Sequence, residues 1–210
     1  MSEPTYQQWV TGGKVWHPAQ PIAQIAAALW SLHGEVGTIG DTAHLTAKVP
    51  EDHCPFSHTG WPLPNIYPYV CAIDYSGPKW VEIRNWWIYN AHVGHAPWSK
   101  YINTGHGMEY RHDDQFTKGV SNSDLNHVHL SIRSDWTHKS IGAWDVLPPT
   151  LKLGARGDSV KIMQLRVHVA SDGIFGSNTL KAVENAQRQN HLTVDGIVGD
   201  NTWNAILPKY

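Results

Sequence analysis

The stretch Asp172-Gly-Ile-Phe-Gly-Ser-Asn-Thr-Leu180 recurs as Asp195-Gly-Ile-Val-Gly-Asp-Asn-Thr-Trp203, and this doubling decides how the end of the chain folds. Each copy is a glycine turn that delivers the chain to a helix start, because glycine reaches the left-handed backbone of a tight turn and polar side chains satisfy the first free N–H groups of a helix. Upstream, a helix is expected from Asp158, as its cap, to about Val169. In the second helix Leu180, Val183 and Ala186 form the inner stripe, and Trp203, Ile206 and Leu207 close the third. The tail is therefore expected to be a small all-α three-helix domain. Taken singly, the glycines need be no more than turns that start helices.

Working outward, Leu147-Pro-Pro-Thr150 breaks regular structure and separates this tail from a His- and Trp-rich part of different character. The expected division is a domain over residues 1–147, a Pro-rich linker at 148–150 and the helical domain over 151–210. A chain of 210 residues with 41% hydrophobic residues can build two cores, one ordinary and one small. A formal net charge of -2 offers no electrostatic case for nucleic acid. The first residues have neither a basic nor an apolar signal region, and no stretch approaches about 20 apolar residues, so a monomer made in the cytoplasm without membrane insertion is expected. With only Cys54 and Cys71, no dense disulfide framework holds the fold; one bridge or two buried thiols are both open.

In the first domain, Ile22, Ile25, Ala26, Leu29 and Leu32 fall at helical spacing within Pro21 to Leu32, followed by a stop at His33-Gly34. Gly37 to Pro68 reads as a long surface loop, and long ordered loops are usually functional. Tyr69 to Tyr75 has strand character, Lys79 to Ala91 reads as a Trp-rich helix, and Lys100 to Asn103 as a short strand leading to a turn at Gly105-His-Gly107. His127-Val-His-Leu-Ser-Ile132 alternates strictly: Val128, Leu130 and Ile132 take one face, His127, His129 and Ser131 the other. The fold class is α+β with a small antiparallel sheet.

The 14 His residues supply neutral imidazoles for proton transfer or metal binding. A hydrolytic zinc is held by three His, Asp or Glu side chains with water in the fourth position. Asp74 lies in an otherwise apolar strand, where an unpartnered carboxylate is costly, so a metal or a cation is expected beside it. His127 lies ~7 Å along the strand from His129 on the same face, so either ring can reach a metal there. His92, His95, His106 and His112 match no ligand pattern and rank as surface residues or supports. Trp80, Trp86 and Trp87, at helical spacing, belong to a core before they belong to a sugar platform.

The tail pattern, together with Leu153-Gly-Ala-Arg-Gly-Asp-Ser-Val160 and Gln164, resembles the type 1 peptidoglycan-binding three-helix module. The resemblance implies a shallow groove for glycan or stem peptide, with Asp172, Asp195 and Trp203 as candidate contacts. The first domain, through Gly37-Thr-Ile-Gly-Asp-Thr-Ala-His44, Glu51-Asp-His-Cys-Pro55, Val70-Cys-Ala-Ile-Asp74 and His127-Val-His129, resembles the D-alanyl-D-alanine peptidase-like zinc enzymes, whose superfamily includes lysostaphin-type peptidases and the hedgehog fold. That resemblance implies Zn2+ held by His53, Asp74 and His129, with His127 beside the activated water, where it can orient substrate or stabilise an oxyanion. Asp124 is the nearest carboxylate for a general base, and His44 is a candidate substrate contact; Asp124 with His127 as the ligand is the other register. The chain departs from the group in the 20 residues between His53 and Asp74, a loop commonly shorter in relatives.

These resemblances together imply a bacteriophage endolysin: a zinc metallopeptidase, either endopeptidase or D-Ala-D-Ala-type carboxypeptidase, that degrades peptidoglycan, reaches the wall after membrane permeabilisation and is antimicrobial by cytolysis. Two other readings are a non-catalytic cell-wall-binding protein and a zinc N-acetylmuramoyl-L-alanine amidase.

Overall fold

The computed structural model describes residues 16–33, 69–103, 108–111, 115–118, 126–142 and 144–209. The Gly37–Pro68 loop and the Gly105–Gly107 turn lie outside them. Elements in chain order are β1 (His17–Pro18), α1 (Gln20–His33), β2 (Tyr69–Val70), β3 (Ala72–Tyr75), α2 (Trp80–His92), β4 (Ser99–Asn103), β5 (Met108–Arg111), β6 (Gln115–Lys118), β7 (Val128–Ile132), a 3-10 turn (Ser134–Trp136), α3 (Asp158–Arg166), α4 (Ser177–Gln189) and α5 (Asp200–Ile206). They divide into two compact units, residues 1–80 with 97–144 and residues 81–96 with 145–210.

The first unit is built on a five-stranded sheet in the order β3-β7-β4-β5-β6, every pair antiparallel. The alternation read in His127–Ile132 holds: Val128, Leu130 and Ile132 are buried, and Ile73, Tyr75 and Ile102 join them as cross-strand partners on that face. Helix α1 contributes Ile22, Ile25 and Leu29, all fully buried, and its last residue, His33, stacks on the Tyr75 ring. Leu32, placed by periodicity in the inner stripe, is instead exposed, as is Trp30. The strand expected over Tyr69–Tyr75 is two strands in different sheets: β2 pairs in parallel with β1, the chain breaks at buried Cys71, and β3 joins the larger sheet. Cys54 lies outside the described residues.

In the second unit the three expected helices form, with differences at their ends. Each starts at a glycine, Gly157, Gly176 or Gly199, with no side-chain cap. Asp158 is the first helical residue instead of the cap, and its carboxylate pairs with Lys161 at 2.9 Å. Helix α3 ends at Arg166, short of Val169. In α4 the fully buried line is Thr179, Val183 and Gln187, with Leu180 and Ala186 only half-buried beside it. Two of its members are polar, which an apolar-stripe reading does not anticipate.

Helix α2, from Val81 onward, belongs to this same unit. Trp86 meets Trp203 edge to face at 5.1 Å, a geometry that favours the ring quadrupoles. The indole N–H groups of Trp86 and Trp87 donate to the backbone just ahead of the tail, to Asp145 O and Val146 O respectively. Arg166 of α3 lies over the Tyr89 ring. Trp86 and Trp87 are thus core, as their spacing indicated, while Trp80, the first residue of the helix, is only half-buried.

Candidate functional site

Antiparallel pairing of β3 with β7 sets Asp74 directly opposite His129. Residues facing each other across a strand pair point the same way, so both side chains leave the face opposite Ile73 and Leu130. Asp74 Oδ1 and His129 Nδ1 are 2.7 Å apart, with side chains 15% and 14% exposed. His127, two residues back on that face, brings Nε2 to 3.8 Å from the same Oδ1 and is 23% exposed. The other nitrogen of His127 is hydrogen-bonded to Asn126 Oδ1 at 2.9 Å.

Two neighbours that the sequence reading had not singled out complete this face. Ser131 Oγ lies 2.9 Å from His129 Nε2, and Tyr101 of β4, the register partner of Ser131, stacks on the His129 ring at 5.2 Å with an interplanar angle of 16°. The alternation that places His127 and His129 on one face also places Ser131 there, so its signal was present. Tyr101 depends on which strand pairs with β7, a long-range fact that no local pattern encodes.

An oxygen and an imidazole nitrogen are the donor types zinc takes in hydrolases, and bonds of about 2.0–2.2 Å in tetrahedral geometry set neighbouring donors roughly 3.3 Å apart. Asp74 Oδ1 is at hydrogen-bonding distance from His129 Nδ1, 2.7 Å, and 3.8 Å from His127 Nε2. These residues are of the donor types such an ion takes. Among the described residues, no group of three or more His, Cys, Asp or Glu could hold a metal by itself. His53, His44 and Asp124 lie outside the described residues, as do His106 and His112. His95 lies in the other unit, 3.8 Å from Asp158, and His92 is exposed at the end of α2.

The candidates in the tail have a different setting. Trp203 is 1% exposed, and its indole N–H donates to Pro149 O at 2.7 Å. Asp172 and Asp195 are exposed carboxylates whose Oδ1 atoms serve twin internal networks. The Gln164 amide donates to Asp172 Oδ1, Ile174 O and Thr179 Oγ1 at 2.8, 3.1 and 3.0 Å, and its Oε1 accepts from Gly173 N at 2.9 Å. The Gln187 amide donates to Asp195 Oδ1, Ile197 O and Thr202 Oγ1 at 2.9, 2.9 and 3.2 Å, and its Oε1 accepts from Gly196 N at 3.0 Å. Asp, Gly, Ile and Thr follow each Gln by the same 8, 9, 10 and 15 positions. The sequence repeat is thus one recurring buried-amide lock, and it starts earlier than the glycine turn. Extending the alignment of the two copies upstream would have found Gln187 beside Gln164.

Gly173 and Gly196 have φ of 74° and 69°. A side chain at Gly196 would also run into Leu180, and one at Gly173 would be tight against Lys161 and Gly157 O. Glycine is required at both by backbone, and at Gly196 by space as well.

The networks hold both carboxylates below the ordinary aspartate value of 3.8: for Asp172 chiefly through the Gln164 amide, then Ile174 N–H, and for Asp195 chiefly through Ile197 N–H, then Gln187. A depressed folded value means that the ionised carboxylates stabilise the fold above the unfolded-state value, and that this contribution is lost as pH falls through the folded value. The melting temperature of the second unit is therefore expected to drop as pH falls below about 4. In the Asp172→Asn/Asp195→Asn variant that drop should be smaller; equal acid sensitivity in thermal melts of both proteins would refute this account.

A groove of about 380 Å³ opens beside the second lock, lined by Leu192, Thr193, Asp195, Ile197, Asp200 and Asn201 among others. No helix among the described residues is long and apolar enough to cross a membrane.

Residues 157–206 match the family model described as "Putative peptidoglycan binding domain". That likeness supports peptidoglycan as the partner of the tail and the cell wall as its target. No curated protein matches the chain.

Proposed function

We propose that this chain hydrolyses amide bonds in the peptide part of bacterial peptidoglycan with zinc-activated water, kept at its substrate by the C-terminal helices. The observation that carries the proposal is the convergence of His129 and His127 on Asp74 Oδ1 from one sheet face, at 2.7 and 3.8 Å. The match of the tail to a peptidoglycan-binding model supports peptidoglycan as the material acted on.

Asp74 and His129 would hold the ion together with His53, the third ligand implied by the resemblance. When bound, zinc lowers the pKa of water toward ~7 and polarises a carbonyl as a Lewis acid. His127, more exposed than His129 and hydrogen-bonded to Asn126, is the imidazole proposed to orient the substrate or donate to a developing oxyanion. Asp124 is the proposed proton acceptor and His44 a substrate contact. Hydrolase joined to wall-binding helices is the organisation of a phage endolysin, the biological setting proposed for this chain.

The test is mass analysis of fragments released from purified walls, with labelling of newly exposed N-termini. Peptide hydrolysis predicts new D-glutamate, diaminopimelate or D-alanine ends, or release of terminal D-alanine. New L-alanine ends alone would establish an amidase instead, and wall binding without release would establish a binding protein.

A further inference from the structure

Asp74, His129 and Ser131 form an unbroken polar string. Asp74 Oδ1 meets the Nδ1 side of the His129 ring at 2.7 Å, and Ser131 Oγ meets the Nε2 side at 2.9 Å. The order of contacts is that of a serine hydrolase, but Ser131 is 0% exposed in the middle of β7, where no substrate carbonyl can approach its oxygen. Nucleophilic attack is not what this hydroxyl does.

Its position answers a different chemical need. A neutral imidazole carries one ring proton, and the nitrogen that lacks it is the one that can bind a metal. An ion shared with Asp74 has to bind His129 at Nδ1, the nitrogen facing that carboxylate. The proton then resides on Nε2, inside the protein, where an N–H without an acceptor would be penalised by burial. Ser131 Oγ is the acceptor already at hydrogen-bonding distance. Tyr101, stacked nearly parallel on the ring, restricts rotation that would exchange the two nitrogens.

We propose that Ser131 is a positioning residue that fixes His129 as an Nδ1 ligand by accepting the hydrogen bond from Nε2–H. The inference rests on the zinc reading of the Asp74–His129 pair and deepens it. Partners of this kind typically change metal affinity by roughly 10- to 100-fold.

The experiment uses the full-length protein with ring-15N histidine, loaded with zinc, and a parallel chelator-competition measurement of zinc affinity for wild type and Ser131→Ala. The expected spectrum shows zinc on His129 Nδ1 and the proton on Nε2, with affinity weakened by roughly 10- to 100-fold in the variant. Zinc on Nε2 in wild type, a result independent of how any variant folds, would overturn the proposal. So would a Ser131→Ala protein that binds zinc as tightly as wild type, while the metal reading itself survived. Wild type that takes up no zinc would overturn both.

Discussion

Alanine in place of Gln187 is expected to destabilise the C-terminal helices by about 2–4 kcal/mol, through loss of a fully engaged buried amide. Gln187 is 1% exposed, donates to Asp195, Ile197 and Thr202, and accepts from Gly196. Truncation leaves the buried Gly196 N–H without its acceptor and takes one of two donors from the Ile197 carbonyl, which keeps Thr202 Oγ1. A helical tail of this size has only a few kcal/mol of stability to lose, so a large share of its molecules should unfold. Gln164→Ala should act alike through the first lock, since Gln164 is equally buried and makes the same four hydrogen bonds, lacking only the fifth that Gln187 accepts from Asp195 N. Denaturant unfolding followed by Trp fluorescence reports the change, because Trp203 and Trp86 both belong to this unit. A shift under about 0.5 kcal/mol, the range of ordinary surface substitutions, would contradict the lock.

The second large effect concerns the sheet face. His129→Ala and Asp74→Asn are each expected to lower release of peptides from purified walls by ~1,000-fold or more, since the proposed zinc would supply several kcal/mol of transition-state stabilisation and each 1.36 kcal/mol is tenfold in rate. Both side chains point away from the apolar face formed by Ile73, Val128 and Leu130, so the sheet should still form. Co-sedimentation with walls should be unchanged in both variants, because the matched wall-binding residues, 157–206, are in the other unit. Loss of binding together with release would mean that the substitutions unfold the protein. Unchanged release would remove Asp74 and His129 from the chemistry.

Much of this was legible because it is local. Alternation in His127–Ile132 gives the two faces of β7, and glycine turns give the starts of α4 and α5. The α+β character, with a small antiparallel sheet and three tail helices, follows from those patterns. What escaped was long-range. Strand character runs from Tyr69 to Tyr75, yet the chain changes sheets at Cys71, because pairing partners, not propensity, decide where a strand ends. Gln187 and Thr179 had no place in the apolar stripe expected for α4, and only the turn folding back over each one shows why they are buried. Trp203, expected to close the third helix and also named as a candidate contact, is 1% exposed and meets Trp86, more than a hundred positions earlier, edge to face. At the sheet face, Asp74 and His129 were named from sequence, and the register brings them together; Ser131 was already placed on that face by the alternation, whereas Tyr101 became visible only through its contact with His129.

The most direct test of zinc-dependent wall hydrolysis is metal content and peptide release measured on the same full-length sample, before and after chelation and again after zinc is restored. The account predicts about one zinc per chain, the open-site stoichiometry of a mononuclear hydrolase, with release that stops on chelation and returns with the metal. Release that continues after the metal is stripped, or wall binding with no release at any zinc concentration, would contradict it.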